Sequence, residues 1–461
     1  MRQNDNVLLK GPIHTTLLVL AWPVIASNLM QTSFNLIDMF WVGRLGPDSV
    51  AAVSMTFPIV FLMISVLAGF TVAGTTMIAQ YIGANNHSEA NKVAGQTLTF
   101  TVILTVIFTI IGILITPFLI GKIGVEPQVA ELAIQYLQTY FLGLVFMSIF
   151  YVYQSLMRGA GDTRTPMKLA FFSIGLNIIL DPILIFGWFG LPALGVTGAA
   201  LATVIAKALG AAVALYLLFS GTTILKPKWQ TMFPQKKLVK DIIIIGVPAA
   251  LEQSTRALGL TFMMSTVAQL GTATLAAYGL GNRINAFVFL PSLGLAQATT
   301  AMVGQNLGAG LTDRAKKTGY ISALMSMIIL SLIGVFVYIF AEPIISLFVV
   351  DQSQEVISLG VEYLRIAAFA YGFIGVLNTI NGAFRGTGQT LAAMSFSIIS
   401  LWLIRVPLAR ALSLEWGATG IWWAVALSNI IGAILALAWY TFGKWKGHIV
   451  TKQETLEGNG Y

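Results

Sequence analysis

PVIASNLMQTSFNLIDMFWVGRLG (residues 23–46) returns as PAALEQSTRALGLTFMMSTVAQLG (residues 248–271). Aligning Pro23 with Pro248 sets an offset of 225 that holds without a gap for about seventy residues: Gly46 meets Gly271, Ala51-Ala52 meets Ala276-Ala277, Gly83 meets Gly308, and Lys92 meets Lys317. With small shifts of offset, MRGAGDT (157–163) resembles FRGTGQT (384–390), and GVTGAA (195–200) resembles GATGIW (417–422). A repeat this long means that one unit is used twice.

The runs between these landmarks are oily. Of 461 residues, 57% are hydrophobic and only 10% charged, with mean hydropathy +0.83, against a charged share of about 25% in soluble domains. The chain is therefore expected to be an all-α integral membrane protein. A membrane helix needs about 20 mostly apolar residues, and roughly twelve such runs are present: 13–43, 50–80, 93–119, 128–156, 165–187, 193–220, 238–268, 274–304, 315–341, 356–383, 391–412 and 418–443. The polar lead MRQNDNVLLKGPIHTT is followed by no small-residue cleavage site, so the first span is expected to stay.

The net charge of +8 does not point to nucleic acid, because the basic residues sit in loops between apolar runs. With the N-terminus in the cytoplasm, about eighteen Lys and Arg fall on the cytoplasmic side against about three (Arg44, Lys122, Arg410) outside. Both termini are thus expected in the cytoplasm of a cell-membrane protein. The basic segment GTTILKPKWQTMFPQKKLVKD suits an interfacial linker and divides the chain into 1–221, a linker at 222–237, and 238–461 with a short tail. Six spans per repeat is an even number, so the two six-helix bundles are expected to be related by a pseudo-twofold axis along the membrane normal, with a cavity between them. Rocking of one bundle against the other is the logic of a secondary transporter.

Two polar stripes interrupt the oil. Asn28, Gln31, Asn35 and Asp38 share one face of the first span, and Ser173, Asn177 and Asp181 share one face of the fifth. Tyr136 and Thr203 enter on the fourth and sixth spans at about the depth of the two aspartates. An ionised carboxylate facing lipid costs at least about 2.5–3.5 kcal/mol. Each Asp either reaches the headgroups from a helix end or serves a site, and the stripe running inward from each favours the second. Two carboxylates held near each other in an apolar bundle are suited to taking up and losing a proton.

The double repeat, FNLIDMFWVGRLG (34–46), AQYIGANN (79–86), the two RGxGxT loops and SIGLNIILDP (173–182) together resemble the MATE (multidrug and toxic compound extrusion) family, most of all its DinF-like prokaryotic branch. The resemblance covers about residues 10–445. It implies a cation-coupled exporter whose ion site is carried by Asp38, Asp181, Asn177, Tyr136 and Thr203, with Thr197 competing for the last place. The composition implies no cofactor. The coupling ion is the proton or, as the alternative, sodium held at Asp38, Asn177 and Asp181; oxygen ligands suit both hard cations. The expected partners are amphipathic drugs or toxins and membrane lipids, with the chain a monomer. Pro23 removes an amide proton and crowds the carbonyl of residue 19, so the first span can bend there, either as a fixed kink or as a hinge.

At the offset of 225, Asp38 faces Met263 and Asp181 faces Val406, so the ion site is expected in the first half alone. Glu252 and Arg256 are four apart and read as an internal ion pair. Asn28, Gln31, Asn35, Ser173, Met263, Met264, Arg283 and Phe287 are the candidate cavity residues. Met and Phe supply soft, adaptable contact, and neighbours such as Met263 and Met264 diverge around a helix. His14, His87 and His448 fall at span ends or in loops. QNLGAG (305–310) lacks the Lys-Ser/Thr of a phosphate loop, and no HExxH or comparable set indicates an intramembrane enzyme. Absence of cysteine excludes disulfides and thiolate metal sites. The runner-up is a lipid-linked saccharide flippase of the same wider superfamily, which would favour a strongly basic cavity.

Overall fold

The computed structural model describes residues 8–349 and 353–443. The expected tail beyond Gly443, with His448, lies outside them. Among the described residues there is no strand. The helices are α1 (Ile13–Gly43), α2 (Pro47–Gly83), α3 (His87–Ile123), α4 (Pro127–Gly159), α5 (Arg164–Phe186) and α6 (Gly195–Phe219). After the linker come α7 (Lys236–Ala268), α8 (Thr272–Val288), α9 (Leu290–Gly308), α10 (Thr312–Ile339), α11 (Ala341–Ser346), α12 (Gln354–Gly386), α13 (Thr390–Ile398) and α14 (Val406–Phe442), with a π-helical stretch, Ile399–Arg405, joining the last two.

Nine described helices are long and apolar enough to cross a membrane, or ten counting α8 and α9 as one span bent by 44°. The chain is an all-helical, multi-pass membrane protein. The difference from twelve runs has local causes. The polar run EQSTR (252–256) dilutes the hydropathy of α7, and the last two expected runs fuse into one helical stretch, Thr390–Phe442. Gly417, at φ 56° and ψ −130°, interrupts that stretch where the sequence divides it.

Backbone geometry explains why the repeat keeps its glycines. Gly46 and Gly271, which turn the first helix of each half into the second, have φ of 110° and 108°. In the RGxGxT loops Gly161 and Gly388 have φ of 89° and 83°, and Gly195 and Gly417 have 55° and 56°. A Cβ is poorly tolerated in this left-handed region, whereas glycine enters it freely. Asn85, opposite Gly310 in the repeat, takes the same region at φ 59°, as short polar side chains can.

Side chains repeat as well. Thr75 Oγ donates to the carbonyls of Thr71 (3.0 Å) and Ser155 (3.1 Å). Its partner Thr300 donates to those of Ala296 (3.0 Å) and Gly382 (2.8 Å). Each threonine so ties the second helix of its half to the fourth at a close crossing. Small residues permit that approach in a membrane, where interhelical packing and hydrogen bonds replace the hydrophobic driving force.

Two compact units result: Ala26–Ile82 with Asn86–Ala250, and Met1–Ile25 with Gly83–Asn85 and Leu251–Tyr461. The divisions inside α1 and α7 fall at the same repeat position, between Ile25 and Ala26 and between Ala250 and Leu251, just beyond Pro23 and Pro248. In the first unit α4 packs on α3 and α6, and α5 on α6. The linker is fastened there to α3: Gln96 Nε2 donates to the carbonyls of Thr231 (3.0 Å) and Phe233, Gln96 Oε1 accepts from the Gln235 amide (2.9 Å), and Trp229 stacks on Phe219. In the second unit α12 is central, packed by α8, α9, α10 and α14. A Tyr278–Tyr363–Trp422 aromatic cluster lies in its core.

Candidate functional site

The first unit gathers the ends of four helices. Val42 of α1, Ile185 of α5, and Val196 and Ala199 of α6 form one buried cluster, against which Trp41, Tyr136 of α4 and Phe186 pack. Asp38 stands one turn before Val42, and Asp181 one turn before Ile185. The two aspartates are close enough for their charges to act on each other, and both act on Tyr136. Asp38, Asp181 and Tyr136 are thus brought together, with Asn177 tied to Asp181 by a 3.0 Å hydrogen bond from Nδ2 to Oδ1.

The fifth-helix stripe is fully inward: Ser173, Asn177 and Asp181 are all buried. Ser173 Oγ donates to the Ala206 carbonyl of α6 at 3.1 Å. The first-helix stripe is looser, with Asn28 and Gln31 half-buried and Asn35 exposed. Gln31 donates to Asn35 at 3.2 Å, and Thr32 to the Asn28 carbonyl. Thr203 is half-buried on α6, and Thr197 bonds instead to Gln135 at 3.3 Å in an exposed position.

Among the described residues, Asp38 Oδ1 and Asp181 Oδ2 are buried with no hydrogen-bond partner, as is the nearby Trp41 Nε1. Buried acceptors left open are uncommon, because each forfeits its solvation without compensation. Two carboxylate oxygens, the Asn177 amide and a tyrosine hydroxyl form a donor set that fits a proton or a hard monovalent cation. No group of three or more His, Cys, Asp or Glu that would hold a metal ion occurs among the described residues.

In the second unit Met263 is buried in the core, while Met264, Arg283 and Phe287 are exposed on their helices. The Glu252–Arg256 pair forms at 3.0 Å and has a second cation that the sequence reading missed. Arg385 approaches Glu252 bidentately, Nη2 at 2.6 Å and Nε at 3.2 Å, and Ser397 Oγ adds a bond at 3.0 Å. Arg385 belongs to the repeated RGxGxT loop, which was the available signal. Among the described residues its counterpart Arg158 has only Gln154, at 3.3 Å. Lys207 was also missed: it is buried on α6 with its Nζ 4.5 Å from the Phe150 ring centre, held by cation–π attraction.

A family model described as MatE matches residues 23–183 and 248–410. One described as lipid II flippase MurJ matches residues 126–269. "Probable multidrug resistance protein YoeA" of Bacillus subtilis (strain 168) is 31% identical over 442 residues, covering 93% of this chain and 94% of the relative. "Probable multidrug resistance protein NorM" of Thermotoga maritima is 29% identical over 461 residues, covering 97% and 96%. Among solved structures, an outward-facing multidrug resistance MATE family transporter of the MOP superfamily is similar with a TM-score of 0.90 at 27% identity, over 95% of this chain and 97% of the other. The MatE match begins at Pro23 in one repeat and at Pro248 in the other, so sequence, helix turns and relatives all mark the same unit used twice. The chain belongs to the MatE family of membrane transporters.

Proposed function

We propose that the chain is a secondary active exporter, not an enzyme, which antiports amphipathic and often cationic compounds against protons, with sodium as the alternative ion. It acts in the cell membrane as a monomer with both termini in the cytoplasm. The observation that carries this reading is the pair of a half-buried Asp38 and a fully buried Asp181, each with one buried carboxylate oxygen lacking a partner among the described residues. A coupling ion satisfies both oxygens and removes the repulsion between the charges. The relatives' names, multidrug resistance proteins, support the substrate class.

Coupling requires that ion and drug favour different states, so that each weakens the other's binding by the same factor. In this proposal, ion binding at Asp38 and Asp181 sets the position of the last two-thirds of α1 relative to its first turns. The break between units lies in α1 just after Pro23. Pro23→Ala restores an interior helical hydrogen bond and favours the straight helix by up to about 3 kcal/mol. The expected result is a folded protein whose efflux rate falls at least about fivefold, the low end of common coupling factors. Normal efflux by Pro23→Ala would place the bending element elsewhere.

The flippase reading has one observation in its favour, the MurJ match over residues 126–269. It covers less of the chain than the MatE match. Arg256 and Arg385 are engaged by Glu252, which takes two cations from the strongly basic lining that reading needs. Reconstituted protein assayed for drug efflux and for lipid-linked saccharide translocation separates the two. Translocation without drug efflux would overturn the exporter reading.

A further inference from the structure

The two units carry opposite charge within about one helical turn of the repeat: Asp181 in the first, and Arg405, at the place of Asn177, in the second. Ser173 of α5 and Ser400 of the π-helical stretch each donate to a carbonyl of the next helix, Ala206 at 3.1 Å and Ser428 at 2.8 Å. A Cβ on Gly210 would meet Ser173, and one on Gly432 would meet Ser400, which fixes the register of the two helix pairs. The shift that aligns the RGxGxT loops also aligns Tyr136 with Tyr363. Where the first unit has Asn177 one turn after Ser173, the second has Arg405 one turn after Ser400, the π-helix accommodating the extra residue. Such bulges recur at functional sites.

Arg405 is only 8% exposed. Its Nε donates to Ser428 Oγ and its Nη2 to Asn429 Oδ1, both at 2.9 Å and both neutral acceptors. A guanidinium carries five N–H donors, so three have no acceptor among the described residues. No carboxylate forms an ion pair with it there. The charged group that acts on it is another cation, Arg256, already bonded to Glu252. Trp422 Nε1, in the aromatic cluster, is fully buried without an acceptor, whereas Arg405 keeps a small exposed part.

The wall around Arg405 is aromatic and close. Tyr278 and Tyr363 lie within its electrostatic reach, and the Trp422 ring centre is 5.8 Å from that of Tyr278 and 4.7 Å from that of Tyr363. The Tyr363 hydroxyl is occupied, accepting from Asn285 (3.0 Å) and donating to Asn282 (3.3 Å). What remains on Arg405 itself is a set of donors, its spare guanidinium N–H groups. A buried cation with surplus donors and no counter-charge is the inverse of the first unit's open carboxylates.

We infer that the second unit binds a small monovalent inorganic anion of the chloride class at Arg405. The bound anion neutralises Arg405 inside the membrane and lets the π-helical stretch hold its wide turn.

The test is thermal melting of the full chain in detergent as chloride replaces gluconate at constant ionic strength. The wild type is expected to gain stability saturably. Arg405→Gln, whose amide can keep the bond to Ser428, is expected to show no chloride response, and Arg405→Lys a response with its midpoint shifted to several-fold higher chloride. A flat wild-type curve, or an unchanged response in Arg405→Gln, overturns the proposal. Bromide located by anomalous scattering in wild-type crystals needs no variant. Density beside the Arg405 guanidinium supports the site, and its absence at saturating bromide overturns it.

Discussion

Replacing Asp38 and Asp181 together by Asn is expected to reduce ion-driven drug efflux to the leak of protein-free vesicles, while folded protein accumulates in the membrane. The two parts of this result have separate causes. Asn is nearly the shape of Asp, and residue 181 retains an oxygen for the 3.0 Å bond from Asn177. The atoms that change most, Asp38 Oδ1 and Asp181 Oδ2, have no hydrogen-bond partner to lose. Removing charge from a mutually repelling pair, one member fully and the other half buried, relieves the folded state rather than straining it. Efflux fails because an amide neither takes up a proton nor offers the negative charge that holds sodium. The second unit offers no substitute, since Met263 stands at the repeat position of Asp38 and lies in the core. Size-exclusion profile and melting temperature check the fold, and efflux from vesicles checks the coupling. Failure of the variant to fold would mean instead that the carboxylates are structural.

Glu252→Gln is expected to be the most destabilising single substitution of a charged residue in the second unit. The carboxylate is fully buried and accepts from Arg256, from two nitrogens of Arg385 and from Ser397. Its removal leaves two cations facing each other, with side chains only 30% and 13% exposed. Breaking a buried ion pair from one side costs about 3–5 kcal/mol. The partial exposure of Arg256 lets solvent screen part of that, so about 3 kcal/mol is expected, read as a fall of several degrees in melting temperature. Glu89→Gln is the control. Its partner Lys92, at 2.6 Å, is 37% exposed, and such surface pairs contribute about 1 kcal/mol or less. Equal melting of the two variants would show that Glu252 is not the centre of its network.

The parts of this arrangement that were legible in the sequence are those that follow a period. The stripe Ser173–Asn177–Asp181 was visible because four-residue spacing keeps one face of a helix, and that face is the buried one. The repeat was visible because Gly46, Gly161 and Gly195 and their partners occupy backbone conformations that other residues avoid. What was not legible depends on distance along the chain. Arg385 reaches Glu252 from 133 residues away, and spacing alone offered Glu252 only its neighbour Arg256. Arg405 was hidden for a different reason. At the offset of 227 set by the RGxGxT loops Asn177 meets Ile404, and the π-helical turn, which no composition announces, shifts the register by one to Arg405. Lys207 looked like one basic residue more in a long apolar run, since the Phe150 ring that holds it lies on another helix.

The measurement that bears most directly on the coupling claim is drug efflux from proteoliposomes under proton and sodium gradients imposed one at a time. The comparison is between the wild-type chain and the Asp38→Asn, Asp181→Asn variant. The wild type is predicted to export faster under an imposed proton gradient than with no gradient, and the variant to export at the same basal rate in every condition. Gradient-driven export by the variant equal to that of the wild type would contradict the assignment of coupling to Asp38 and Asp181.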